Sequence, residues 1–133
     1  MKPVAKSFAY ALLRIAIGLN FAGHGLIRIY NGVGTFASST AEHLVRTPLP
    51  HILVLGYASM IPFIELILGI ALVLGTFTRV TLGVASLFIM TLTLGVTANQ
   101  QWDVAGQQLL YSLVLFVLLF LHEHNDISLD NAL

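Results

Sequence analysis

The 133-residue sequence contains no cysteine, so disulfides, thiolate metal sites, cysteine-held iron–sulfur clusters and thiol chemistry are excluded for this chain. Charge is nearly as scarce. Six basic and six acidic side chains make up 9% of the residues and cancel to a net charge of zero, against about 25% charged residues in an ordinary soluble domain. Without a basic run there is no electrostatic footprint for nucleic acid. No glycine-rich nucleotide-binding motif is present, and neither an internal repeat nor a low-complexity tract is evident. What fills the chain is apolar: 57% of its residues are hydrophobic. A surface built from them has lipid as its natural solvent.

Crossing about 30 Å of hydrocarbon takes ~20 helical residues. Four stretches meet that length, at about 8–30, 51–77, 80–98 and 104–121. A cleaved leader is the competing reading of the first, with Lys2 and Lys6 as its basic flank and Phe8 to Leu19 as its apolar stretch. Arg14 inside that stretch, and apolar character continuing to Ile29, favour a retained span. The expected fold is an all-α, integral-membrane bundle of four transmembrane helices, forming a single membrane domain over 1–133. Its connections are short apart from one longer extracytoplasmic loop, 31–50. Asn31-Gly-Val-Gly34 opens that loop, and Pro48 and Pro50 close it. Ser39-x-x-Glu42 has capping-box spacing and predicts a short interfacial helix over 40–46. Four spans put both termini on one side. Lys2, Lys6 and Arg79 against Arg28 and Arg46 make that side cytoplasmic by the positive-inside rule.

Ionisable groups inside a span are the first places to look for chemistry, because each costs ~2.5–3.5 kcal/mol at the bilayer centre on insertion scales. Arg14 lies 16 residues before Tyr30, and Glu65 lies 14 residues after His51. Counted from those outer ends, the two reach depths of ~24 and ~21 Å. They are therefore expected to pair, directly or through water. The facing stripes agree: Arg14, Gly18, Phe21, Gly25 and Arg28 on the first helix, Ala58, Pro62, Glu65, Gly69 and Thr76 on the second. Pro62 leaves the carbonyl of Ala58 without its intrahelical donor. Two readings of the pair stand side by side. It is either an ion pair that holds two helices in register, or a proton relay in which Glu65 and Arg14 are the catalytic groups.

Asn20, His24 and Arg28 follow at four-residue intervals and form a polar ridge on the outer half of the first helix. Gln101, Trp102 and Gln108 belong to the same outer end, so these six residues outline a mouth for the head of an amphiphile. For His24 the bland reading is a hydrogen bond to a neighbouring helix. As a haem ligand it would need His43 or His51 as the second axial partner. For Trp102 the bland reading is an interfacial anchor. His122, Glu123, His124 and Asp126 have the residue types of a metal site, but 122 and 124 point ~200° apart on a helix, so no metal site is expected and the segment reads as a solvated tail.

Leu13-Arg14-Ile15 with Gly18, then His24-Gly25 and Arg28, resembles the opening helix of DoxX-family membrane proteins. Glu65-Leu-Ile-Leu-Gly69, followed by Leu74-Gly-Thr-Phe-Thr-Arg79, is similar to their second helix and turn. Trp102-Asp103 and Ile127-Ser-Leu-Asp130 extend the resemblance to nearly the whole chain. It implies a four-helix protein of the prokaryotic inner membrane, with relatives in thiosulfate:quinone oxidoreductase and in oxidative-stress systems. Some relatives carry histidines just before the Trp-Asp pair. Asn99, Gln100 and Gln101 stand there instead, which speaks against a histidine-dependent role at that end.

Three functions follow as expectations. The leading one is an accessory subunit of a membrane oxidoreductase, binding quinone or lipid in a polar pocket of the outer half. It has no intrinsic cofactor and works with a redox partner protein rather than as a self-sufficient enzyme. The second is a small homo-oligomeric proton-coupled transporter or channel. The third is a structural membrane anchor without a small-molecule site.

Overall fold

The computed structural model describes residues 3–132; Lys2, counted in the charge balance above, lies outside the described residues. The chain is 84% helical, with no strand among the described residues. Helix α1 (Pro3–Tyr30) runs from the end of the bundle that holds the termini, here the basal end, to the distal end. A short α2 (Val33–His43) follows, then α3 (His51–Leu74) returns. Helices α4 (Thr78–Ala98) and α5 (Trp102–Phe120) form a second hairpin. A single 3₁₀ turn (His122–His124) and a four-residue helix α6 (Leu129–Ala132) end the chain. Four of these helices are long and apolar enough to cross a membrane, as expected of an all-α, four-span bundle.

Helix ends fall where backbone chemistry requires. Gly75, with a φ of 74°, takes the left-handed conformation that closes α3, donating its N–H to Ala71. The second span therefore stops at Leu74 rather than 77, and Gly75 to Phe77 form the turn. The expected interfacial helix over 40–46 is replaced by α2, which begins ten residues after Gly23 and immediately after Gly32. Only Asn31 and Gly32 break the chain. From Val33 onward Phe36, Ala37, Thr40 and Ala41 recur at helical spacing, and Ala37 and Ala41 are buried. The Ser39 side chain caps nothing, since it lies inside the helix instead of before it.

The α1–α3 hairpin is the tightest part of the molecule. A methyl group added at Gly69 would lie 2.3 Å from the backbone nitrogen of Ala22; one at Gly25 would lie 2.4 Å from the carbonyl of Pro62. One at Gly18 would lie 2.8 Å from the backbone nitrogen of Val73. With lipid on one side, helices associate by close backbone approach rather than by an aqueous hydrophobic effect, and these glycines permit it. The expected stripes face each other at Gly18, Gly25 and Gly69, whereas Thr76 lies in the turn beyond Leu74. The second hairpin packs on the first through Leu72, Leu82, Ala85, Ile89, Leu115 and Leu118, all nearly inaccessible. Tyr10 Oη donates to the carbonyl of Leu118 at 2.6 Å, and Tyr57 and Thr91 hydroxyls join α3 to α4. The outer faces carry Phe8, Leu19, Ile67, Leu87, Leu94, Leu113 and Phe116 uncovered, a surface compatible with acyl chains.

Gly69→Ala is expected to destabilise the protein by about 1–3 kcal/mol through overpacking at Ala22. Gly83→Ala, where the added methyl meets nothing within 4 Å, gains about 0.8–1 kcal/mol of helix propensity instead. Thermal unfolding of the two variants in the same detergent checks the contrast.

Candidate functional site

Arg14 and Glu65 are both buried, at 2% and 4% exposure, but they do not pair. Arg14 lies opposite Leu72 and Val73, seven and eight residues beyond Glu65 on α3, which separates the two levels by ~11 Å along the helix axis. The expectation of a common depth rested on Tyr30 and His51 marking one level. In fact α3 continues past the distal end of α1, and α2 packs against that extension, so the register is displaced.

The two charges are satisfied in different ways. At the basal end, Arg14 Nε donates to the carbonyl of Leu72 at 2.8 Å, and Nη2 reaches that of Val73 at 3.5 Å. Nη1 donates to Asn125 Oδ1 at 2.7 Å and to the carbonyl of Ile127 at 2.9 Å. Leu72 and Val73 belong to the last turn of α3, where carbonyls lack intrahelical donors and the helix dipole is negative. A helix C-terminus thus does for Arg14 what a carboxylate was expected to do. The tail is not merely solvated. Ser7 Oγ donates to Asp126 at 2.5 Å, and the carboxylate of Asp130 accepts from the N–H groups of Phe77 and Thr78 at 2.5 and 2.7 Å, capping the start of α4. One tail segment therefore joins the negative end of α3 through Arg14 and the positive end of α4 through Asp130.

At the distal side, Arg28 Nη1 donates to Glu65 Oε1 at 2.6 Å, and its guanidinium lies 4.4 Å over the ring of Phe36 on α2. Glu65 Oε2 is buried with no hydrogen-bond partner, and so is Gln108 Oε1 on α5. Both residues line a cavity of about 180 Å³ walled by α1, α3, α4 and α5. Asn20, His24 and Arg28 contribute from α1, Ile89 and Leu92 from α4, and Gln107, Gln108 and Tyr111 from α5. His24 Nδ1 lies 2.7 Å from the carbonyl of Asn20. A carbonyl only accepts, so Nδ1 carries the proton and, in the neutral ring, Nε2 is left as an acceptor. Gln108 stands six residues into α5, so the cavity lies ~9 Å below the turn that joins α4 to α5.

Of the residues outlined from sequence, the cavity brings together Asn20, His24, Arg28, Gln108 and Glu65. It leaves out three. Arg14 is at the other end. Trp102 is 63% exposed at the start of α5, and Gln101 sits in the preceding turn. Phe21 and Tyr111 also line it; Tyr111 falls one helical turn beyond Gln107 and Gln108, a spacing that mirrors the ridge on α1 and was available as a signal. Ile89 and Leu92 were not distinguishable in sequence from lipid-facing residues. Among the described residues, no cluster of three or more His, Asp or Glu side chains is arranged to hold a metal ion.

Four apolar spans, close glycine-mediated packing and a small polar cavity between the hairpins define a compact multi-pass membrane protein. A family model, DoxX, matches residues 9–100, and the chain belongs to that family. No curated protein and no solved structure matches the chain at a significant level.

Partial removal from water favours the neutral acid of Asp130. The Thr78 side chain beside it, the N–H groups of Thr78 and Phe77, and the nearby His122 outweigh that effect and hold the carboxyl below its ordinary value. Thr78 Oγ1 itself has no partner of hydrogen-bonding geometry, so the two N–H groups are the principal contact. A depressed folded-state value means that the contribution is complete above the unfolded carboxylate value, about 3.9, and is lost as pH falls through the folded one. Melting temperature measured from pH 7 down to 3 should therefore show Asp130→Asn less stable than the unsubstituted protein at neutral pH, the gap closing in acid.

Proposed function

We propose that the protein is an accessory subunit of a membrane oxidoreductase, and that the distal cavity holds the head group of a membrane-soluble amphiphile of the quinone class. The observation that carries this reading is Glu65: a carboxylate 4% exposed, with one oxygen on Arg28 and the other unpaired beside a cavity. An orphaned anionic oxygen in a low-dielectric interior is costly, and an ionisable group left in that state within a membrane span is a candidate functional site. Arg28 fixes Glu65 and is itself held by Phe36, which makes the wall rigid before a ligand arrives. Apolar Phe21, Ile89 and Leu92 offer ring faces and methyl groups for the body of the ligand, while Asn20, His24, Gln107, Gln108 and Tyr111 offer donors and acceptors for its oxygens.

Electrons come from or pass to a partner protein, since the chain has no cysteine to hold a cluster. The family to which it belongs is often associated with redox and quinone-linked systems, which supports the same reading. Against a proton-coupled carrier stands the guanidinium of Arg28, 2.6 Å from the only carboxylate on a spanning segment outside the first turn of α5. We also infer an inner-membrane location with cytoplasmic termini. Lys6 and Arg79 lie at the basal end, and of the two distal arginines Arg28 is engaged in the internal pair, leaving Arg46.

Trp102 is the single tryptophan, two residues before cavity-lining Val104. Titration of purified protein with a short-chain quinone should quench its fluorescence saturably, and Gln108→Leu should weaken the half-saturation point at least fivefold. Quenching that rises linearly without saturation contradicts the reading.

A further inference from the structure

The polar groups of the distal cavity are unequally supplied, and the imbalance says which ligand form fits. Glu65 Oε2 has no donor. His24 Nε2 is an acceptor in the neutral ring, because Nδ1 is committed to the carbonyl of Asn20 at 2.7 Å. Gln108 Oε1 is likewise buried without a donor. The one cation in the wall, Arg28, commits Nη1 to Glu65 and lies on Phe36, keeping its other N–H groups as donors. The two buried cavity atoms that lack partners are thus both acceptors, and one of them is anionic. A ligand that only accepts hydrogen bonds leaves Glu65 Oε2 as it is, whereas one that donates relieves the desolvation of that oxygen and forms a charge-assisted bond.

Size limits the ligand further. The cavity measures about 180 Å³, close to the ~150 Å³ of an apolar protein cavity that holds one benzene ring. That leaves room for a single six-membered ring with small substituents. A cationic ligand is disfavoured by Arg28, and an anionic one by the free oxygen of Glu65.

We propose that the cavity selects a neutral ring bearing O–H groups, donated to Glu65 Oε2 and His24 Nε2, so that it holds the two-electron-reduced hydroquinone form and discriminates against the oxidised quinone. This rests on the head-group site proposed above and adds the redox state of its occupant. The oxidised ring presents only carbonyl acceptors, which can be met by Asn20, Gln107, Tyr111, the Gln108 amide and the remaining N–H groups of Arg28 but leave the three acceptors in the wall without a donor. Preference of this kind places the subunit where hydroquinone is retained, as the product of a quinone-reducing reaction or the substrate of a quinol-oxidising one.

The experiment compares 2,3-dimethoxy-5-methyl-1,4-hydroquinone with the corresponding quinone. Both are measured by equilibrium dialysis under argon against the full chain in phosphatidylcholine nanodiscs, whose head groups bring no hydroxyl donor of their own. The expected result is at least tenfold tighter binding of the hydroquinone, with the preference falling to threefold or less in Glu65→Gln and in His24→Phe. His24 is exposed at the rim of the cavity, so its variant carries the test if Glu65→Gln does not fold. Equal binding of the two forms, tighter binding of the quinone, or an unchanged preference in both variants overturns the proposal while leaving the head-group site standing. Binding of neither form overturns the site itself.

Discussion

Hydrocarbon solvates neither charges nor unpaired backbone groups, so each polar atom in this chain must find its partner within the protein. The Arg28–Glu65 pair is where that constraint shapes the candidate site. Its 2.6 Å contact joins α1 to α3, draws Phe36 of α2 over the guanidinium, and uses only one of the two carboxylate oxygens. The other oxygen remains buried beside a cavity, and the proposed chemistry descends from it. A pair satisfied on both oxygens would have been a structural rivet; satisfied on one, it is a rivet that also presents an acceptor.

The same constraint has a second solution at the basal end, with no acid in contact. Arg14 is held by the exposed carbonyls of a helix C-terminus, and Asp130 by the free N–H groups of a helix N-terminus. Because both helix ends belong to the α3–α4 turn, a short polar tail closes the bundle there by complementing two dipoles at once. At the distal end, by contrast, one oxygen of Glu65 stays without a partner.

Much of this was legible in the sequence. Scarcity of charge and four apolar stretches gave the class of fold, and the glycines and prolines gave most helix ends to within a few residues. The facing stripes of α1 and α3 were also correctly placed, because angular position depends only on 3.6 residues per turn. Their axial register was not. Register depends on where each helix ends in space, and the extension of α3 past Tyr30 under α2 has no signature in hydropathy. Hence Arg14 and Glu65 were placed level when Arg28 and Glu65 are. Electrostatic reasoning by residue type compounded the error, since a helix terminus is a partner that no side-chain inventory contains. Asn20, His24 and Gln108, which line the cavity, stand out because amides and imidazoles in an apolar run are conspicuous, whereas Ile89 and Leu92 look like any lipid-facing residue until the hairpins are docked.

The pairing itself is tested most directly by two double-mutant cycles read as unfolding free energies in one detergent, Arg28→Met with Glu65→Leu and Arg14→Met with Glu65→Leu. Loss of Arg28 alone strands a buried carboxylate and should cost about 3–5 kcal/mol, much of which returns when Glu65 is also replaced. Arg14 and Glu65, sharing no partner, should combine additively to within about 0.5 kcal/mol. Additivity in the Arg28 cycle together with strong coupling in the Arg14 cycle would contradict the account.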